Sequence, residues 1–526
     1  MPLNNQSLKK ILGAVSSRSP TLVRRLYSSR PPSTLRYARV SPVATIVGGV
    51  AAVTGAAAYL LQPTAFKEEN AAIFVPQISS LKKDGGSSNI QSPVRALNLA
   101  DANEVLRREQ SSKLFDAGNG QRGRCDVVRV PSNSPVEDEF VVGTQVGPGR
   151  NQWTFWGVFD GHAGWATSVL LRENLISIVS DHLEELPANA PSPEISSAII
   201  KAFISVDDSI NAAALAAMNG PDAQPGSAEV LSAIAPAIAG SCALLAAYDP
   251  RSTTLRVACT GDSRAVLGRV DADSAKPKYT AVPLSKDQTG KNDDEYARLT
   301  AAHPGEEETM INRESGRILG LAVTRAFGDH RWKWRESDIT EAQQRYWSSG
   351  PRPNSRTPPY LTAEPVIEET RINVGVKPGS TSTGGGGANN DQQQQPQPQP
   401  QRGDFLILAS DGFWDHISNE DAVECVARWI AAKKANNLRG TPPSLLKDKP
   451  PKRNEHWWLD EGRYVEWRAT PEYFVVEDDN AATHLVRNAF GGSRRNLFCG
   501  VMSAYPPISR NVRDDTTVQV VFFGDV

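Results

Sequence analysis

Six apolar runs of strand length punctuate the chain, at residues 154–159, 241–248, 254–258, 265–269, 405–409 and 517–523. Most are rich in β-branched or aromatic side chains and bounded by Gly, Asp or Pro, which predicts buried β-strands. Between them lie stretches with helical spacing, at 163–183, 196–218, 294–302, 420–435 and 480–490. In 420–435, Val423, Val426, Ala427 and Ile430 share one helical face, and Asn419 is placed to cap it. Residues 251–253, after Asp249-Pro250, predict a turn joining two hairpin strands. Strands cluster and helices come in pairs, without strict alternation. The expected fold class is therefore α+β with antiparallel sheets.

Composition then divides the chain. Residues 377–402 read KPGSTSTGGGGANNDQQQQPQPQPQR, too poor in apolar surface to offset ordering entropy, and predict a disordered insertion. Residues 441–463 are rich in Pro and Lys and predict a second insertion, partly packed by Trp457 and Trp458. Residues 82–92 form a polar linker. The patterned domain is expected over 120–526, with 67–119 as linker and lead-in.

The charge is uneven. The 526 residues carry 57 basic and 59 acidic side chains, a net charge of −2. Such a balance argues against a nucleic-acid binder, which shows a basic stripe. Residues 1–66 hold eight of the basic residues and no acid, the first being Glu68, leaving 49 against 59 on the rest. An Arg- and Ser-rich segment without acids, residues 1–39, predicts a mitochondrial targeting sequence, and Arg25-Leu26-Tyr27-Ser28 resembles a processing site. Residues 40–66 are a candidate membrane anchor. Their apolar stretch 43–61 would span about 28 Å as a helix, close to a bilayer core of about 30 Å. Anchored, the domain would face the intermembrane space; unanchored, it would lie in the matrix. Cys125, Cys242, Cys259, Cys425 and Cys499 are scattered and include no C-x-x-C pair, which predicts reduced, mostly buried thiols.

Acidic residues sit at strand boundaries. Asp160-Gly161-His162 follows the run ending at Phe159. Ser410-Asp411-Gly412 follows 405–409. Asp514-Asp515 precedes the last run, and Glu137-Asp138 lies just ahead of Val141-Val142. Asp262 occupies the turn Thr260-Gly261-Asp262-Ser263-Arg264. Carboxylates where hydrophobic strands end are costly unless something neutralises them. The donors are oxygens alone, which suits Mg2+ or Mn2+ rather than zinc.

The motifs carrying these acids resemble the metal-dependent protein phosphatase 2C family. They are Val158-Phe159-Asp160-Gly161-His162-Ala163-Gly164, Gly240-Ser241-Cys242-Ala243, Gly261-Asp262-Ser263-Arg264-Ala265, Ala322-Val323-Thr324-Arg325-Ala326-Phe327-Gly328-Asp329, Ser410-Asp411-Gly412-Phe413-Trp414-Asp415 and Asp514-Asp515-Thr516-Thr517-Val518. Ser132-Asn133-Ser134-Pro135-Val136-Glu137-Asp138 and Pro359-Tyr360-Leu361-Thr362-Ala363-Glu364-Pro365 resemble the mitochondrial pyruvate dehydrogenase phosphatase subgroup.

The resemblance implies a two-layer antiparallel β-sandwich flanked on both sides by helix pairs, with a binuclear metal centre at one end. It implies that Asp160 bridges two Mg2+ or Mn2+ ions, that Gly161 contributes its carbonyl, and that Asp411 and Asp514 complete one site. Glu137 and Asp138 match acids that hold metal waters. Asp262, with Asp411, matches the site of a weaker third ion. His162 matches the general acid.

The implied activity is hydrolysis of phosphoserine or phosphothreonine by a metal-activated water, on the E1 alpha subunit of the pyruvate dehydrogenase complex. Alternatives are another mitochondrial substrate reached from the membrane, or an inactive binding protein. Two departures stand out. The phosphate-clamping Arg common in the family is Asn133 here, as in the subgroup, with Arg129 as a candidate substitute. Gln288, in Ser285-Lys286-Asp287-Gln288, replaces a His common in relatives and is given no role.

Overall fold

The apolar runs become central strands because both of their faces are covered. In the computed structural model, which describes residues 94–526 apart from 222, 272–277, 376–401, 436–456, 460–464 and 525–526, eleven strands build two antiparallel sheets. They are β1 (Ser111–Gly118), β2 (Gln121–Val130), β3 (Glu139–Val146), β4 (Gln152–Phe159), β5 (Ala243–Asp249), β6 (Thr254–Thr260), β7 (Arg264–Val270), β8 (Tyr279–Pro283), β9 (Val366–Arg371), β10 (Phe405–Ala409) and β11 (Thr516–Phe522). One sheet has the order β1-β2-β11-β10-β7-β8 and the other β9-β6-β5-β4-β3.

Successive side chains on a strand point to opposite faces. Leu406 and Leu408 face the inter-sheet core with Trp156, Val158, Leu244 and Tyr248. Ile407 and Ala409, one residue out of phase, face a helical layer with Val426, Trp429 and Leu485. Across the sandwich Phe155 and Leu245 turn outward against Leu175, Val179 and Phe203. A strand packed on both sides reads as a continuous apolar run, and that is why these strands are visible in the sequence. The sandwich flanked by helices agrees with the expected α+β class.

The helices over the first sheet are α1 (Leu99–Arg107), α7 (Asn419–Lys434), α8 (Ala481–Ala489) and α9 (Arg495–Ser503). Over the second lie α2 (Ala166–Glu184), α3 (Ser192–Met218), α4 (Ala228–Ile238) and α6 (Glu336–Tyr346), while α5 (Asp293–Ala302) belongs to a smaller cluster around Leu299 and Ile318.

Several boundaries differ from expectation. The compact unit starts at Ala96, well before residue 120. The Asn119-Gly120 turn, with positive φ at both residues, closes a β1–β2 hairpin; Asn-Gly is the favoured pair for such a turn. The helix expected from residue 163 begins at Ala166, because Ala163 and Gly164 adopt positive φ. Ser418, not Asn419, caps α7: its Oγ accepts from Asp421 N at 3.1 Å, while Asn419 Oδ1 accepts from Arg264 Nη1. The run 241–248 breaks at Cys242, whose N–H donates to the Asp160 carbonyl. The 249–254 turn forms as expected, with Asp249 Oδ1 accepting from Arg251 N.

Trp457–Leu459, in the second insertion, pairs with Val465–Trp467 just after it as a two-stranded ribbon, while the expected packing by the Trp457 and Trp458 side chains lies outside the described residues. The targeting sequence, the candidate anchor at 40–66, the polar linker at 82–92 and nearly all of the 377–402 insertion lie outside the described residues. Among the described residues no helix is long and apolar enough to cross a membrane. The five cysteines form no disulfide; four are buried and Cys499 partly so.

Candidate metal centre

The acids meet because antiparallel strands bring the end of one beside the start of the next. Asp160 follows β4, Glu137 and Asp138 precede β3, Asp262 lies in the β6–β7 turn, Asp411 follows β10 and Asp514 precedes β11. Every one of these positions is at the same end of the sandwich. Asp160, Asp262 and Asp411, each partly buried, offer one carboxylate oxygen apiece, and these oxygens all lie within 4.8 Å of one another.

The surroundings do not neutralise them. Asp138 is 1 % exposed. Neither of its oxygens lies in ordinary hydrogen-bond geometry with a donor, nor does Oδ1 of Asp411; the Ser410 and Thr517 hydroxyls favour the ionised form of Asp138 too weakly to offset its burial. Burial, and then the charge of Asp515, pushes the Asp138 carboxyl up to about 8. Burial and Asp411 push Asp262 up to about 7. Asp160, desolvated and in contact with Asp411, stands well above the usual carboxylate range. Carboxylates crowded in this way must hold protons or a cation between them.

Neighbouring groups fix the geometry. Glu137 N donates to Asp515 Oδ2 at 2.8 Å, its carbonyl accepts from Ser168 Oγ at 2.5 Å, and its Oε1 accepts from Gly164 N at 2.8 Å. A Cβ on Gly161 would lie 2.3 Å from the Glu137 carbonyl oxygen, so only glycine lets this backbone pass. Asp514 sits at the rim, ion-paired with Arg510 and accepting from Asp515 N at 2.6 Å. It is outside the three-carboxylate group.

Oxygen-only donors, orphaned buried carboxylate oxygens and a glycine backbone beside them fit a hard divalent cation. Asp160, Asp411 and Asp262 are placed to hold one, with Asp138 behind them.

The family model for protein phosphatase 2C matches residues 131–375 and 392–442. The chain belongs to the protein phosphatase 2C family. It is a metal-dependent serine/threonine protein phosphatase. A protein phosphatase 2C homolog of Schizosaccharomyces pombe is 38 % identical over 413 residues, covering 76 % of this chain and 80 % of the relative. The mitochondrial [pyruvate dehydrogenase [acetyl-transferring]]-phosphatase 1 of Saccharomyces cerevisiae is 34 % identical over 482 residues, covering 86 % and 77 %. The human protein of the same name is 27 % identical over 470 residues, covering 76 % and 77 %.

In this phosphatase His162 is partnered. Its Nε2 lies 2.7 Å from Asp329 Oδ2. Burial alone would lower the imidazole, but Asp329, then Asp262 and Glu137, hold it above its ordinary value. Residue 240 makes the contact fit: a Cβ there would lie 2.1 Å from His162 Nε2 and 2.5 Å from Asp329 Oδ2, so Gly240 cannot carry a side chain.

Three further residues had no role in the sequence reading. Asp515 gathers the 132–137 segment, accepting from Ser132 N at 2.5 Å, Asn133 N at 2.9 Å and Glu137 N at 2.8 Å. Gln288 clamps the turn bearing Asp262: its Oε1 accepts from Gly261 N at 2.6 Å and its Nε2 donates to Cys259 O at 3.0 Å. Cys242 Sγ donates to Asp262 Oδ1 at 3.4 Å.

The two expected phosphate ligands are occupied elsewhere. Asn133 Nδ2 donates to Glu137 Oε2 and Asp515 Oδ2 at 3.3 and 3.1 Å. Arg129 is not free to reach a phosphate. Its guanidinium pairs with Glu109 at 2.7 Å and Glu139 at 3.0 Å and donates to the Asp138 carbonyl at 2.8 Å. Its work is to hold the backbone behind Asp138.

Proposed function

We propose that this enzyme is a mitochondrial phosphatase that removes phosphate from serine or threonine of the E1 alpha subunit of the pyruvate dehydrogenase complex. The relatives named for that reaction support the substrate. The Arg-rich, acid-free residues 1–39 support the compartment. The observation carrying the chemistry is three converging carboxylates with Asp138 buried beside them, its charge offset by no cation among the described residues.

Asp160, the Gly161 carbonyl, Asp411, Asp514, Glu137 and Asp138 would hold two Mg2+ or Mn2+ ions, with Asp262 and Asp411 holding a weaker third. Bound there, divalent cations supply a more acidic water and positive charge for the phosphoryl oxygens. The rest falls to the chain. His162, whose hold on its proton Asp329 strengthens, gives a proton to the departing serine or threonine oxygen. Because Nε2 is engaged by Asp329, the transferable proton sits on Nδ1. Asp329 keeps the ring oriented, and Gly240 leaves the space for both.

The test is hydrolysis of phosphorylated pyruvate dehydrogenase by the full chain with Mg2+ or Mn2+, against an unrelated phosphoprotein. A kcat/KM preference of about tenfold or more is expected, since about 1.4 kcal/mol of differential binding suffices. Equal rates on both would overturn the substrate. No divalent-dependent hydrolysis of either would overturn the mechanism. Digestion of the domain by protease added to mitochondria stripped of their outer membrane would place it in the intermembrane space and favour another mitochondrial substrate.

A further inference from the structure

We propose that Arg510 is the side chain that grips the phosphoryl group, in place of the arginine missing at position 133. The inference rests on the phosphatase reading of the site. A phosphoester dianion approaching Glu137, Asp138, Asp160, Asp262, Asp411 and Asp514 needs cationic contacts from the protein besides any bound metal. Asn133 is neutral and Arg129 is bound behind the site, so the grip must come from elsewhere.

Arg510 is placed for it. It lies in the short helix Ser509–Val512, directly before Asp514. That helix is fastened to the segment carrying Asn133: Ser509 Oγ donates to the Ser132 carbonyl, and Arg513 Nη2 donates to Pro131 O at 3.0 Å. Arg510 Nη1 pairs with Asp514 Oδ1 at the rim of the acidic cleft, with 45 % of its side chain exposed.

Asp514 is itself one of the acids read as a metal ligand. An ion on that carboxylate relieves it of its need for Arg510. The guanidinium then has its planar fork of N–H donors available for two phosphate oxygens, a geometry that guanidinium matches and an amide or ammonium does not. The plain alternative is a surface i,i+4 ion pair of little consequence.

The experiment compares wild type, Arg510→Gln and Arg510→Lys in the full-length protein. Mg2+ affinity is measured first by calorimetry, so that every variant is saturated. Binding of inorganic phosphate is then followed by calorimetry, and KM and kcat are measured on a phosphopeptide. A ground-state clamp predicts that Arg510→Gln weakens phosphate binding and raises KM by about tenfold or more, with a smaller change in kcat. Arg510→Lys should recover part of the loss, because it keeps the charge and loses the fork. Phosphate affinity within twofold of wild type in Arg510→Gln, with wild type active, would overturn this inference alone. A wild type that neither binds phosphate nor hydrolyses the peptide would overturn the phosphatase reading and this inference with it.

Discussion

Asp138 and Asp478 are each 1 % exposed, yet their environments act in opposite directions. Asp478 accepts from Arg487 Nε at 2.5 Å and Nη2 at 2.9 Å, and from Arg107 Nη2 at 2.7 Å. Burial alone would raise its carboxyl, but Arg487 and then Arg107 hold it below the usual range. Asp138 has the same burial and no cation beside it, only the Ser410 and Thr517 hydroxyls to favour its charge, and burial and then Asp515 push it up to about 8. Glu295 repeats the finished pattern, with Arg325 Nη2 at 2.7 Å, Arg298 Nη2 at 2.8 Å and Thr324 Oγ1 at 2.8 Å. A buried acid that the chain neutralises itself holds the fold together. A buried acid that it leaves bare is a place for something from solution.

The strongest way to break this contrast is Asp160→Asn. It should lower turnover by roughly a thousandfold or more, by the scale of losing a major electrostatic contact in the transition state. The cation-free variant should melt no lower than wild type, because a repelled carboxylate has been removed. Near-normal turnover would end the metal-centre reading.

A paired substitution comes next. Arg487→Met leaves Asp478 buried with only the half-exposed Arg107 beside it, and should cost about 3 kcal/mol in urea unfolding. Asp138→Asn, measured without divalent cations, should cost nothing or stabilise. Equal losses from the two would show that the acids are not built differently.

Protonation offers a third test on the paired side. Burial lowers His416 and His484 to about 4. His416 stacks on Trp467 with ring centres 4.2 Å apart, and His484 Nε2 lies 3.1 Å from the Cys425 carbonyl oxygen. With ordinary values near about 6.5 in the unfolded chain, the folded state binds fewer protons between these limits. Stability is therefore complete above about pH 6.5 and declines as the pH falls toward 4. With the acidic cluster saturated by Mg2+, so that Asp138 and Asp262 do not take up protons over the same range, the share of these two histidines in the loss should reach about 2–3 kcal/mol between pH 7.5 and 5.5. A flat profile of urea midpoints would contradict it.

The smallest effect is expected from deleting residues 379–401. The stems on either side are already joined: Asp404 N donates to Asn373 O at 2.8 Å, Asp404 Oδ2 accepts from Asn373 N at 2.9 Å, and Gly375 N donates to Phe523 O at 2.8 Å. Turnover on a small phosphoester should stay within about threefold, since loop length changes closure entropy only slowly. A large loss would make the loop part of the catalytic face.

The central strands were legible because burial on two faces leaves an unbroken apolar run. The metal-binding acids were legible because a carboxylate against such a run is conspicuous. The hairpin at Asn119-Gly120 carried a signal that went unread, since its alternating strand β1 is mostly exposed and lacks the apolar density of the others. Asp329 and Gly240 were different. Each lay inside a quoted motif, but their work depends on the register of two-residue strands, His162 opposite Gly240 and Gly328 opposite Gly240. No spacing along the chain encodes that meeting. Arg129 misled for a similar reason: a guanidinium near the site reads as a ligand until Glu109 and Glu139 are seen to hold it.

The position of β11 has a consequence for synthesis. This strand, near the C-terminus, lies between β2 and β10, and the Asp515 just before it gathers residues 132–137. A chain still emerging from the ribosome has made nearly every acid of its cleft and cannot yet align them. A chain interrupted before β11 would carry most of the acids of the cleft without the strand and the Asp515 carboxylate that align them.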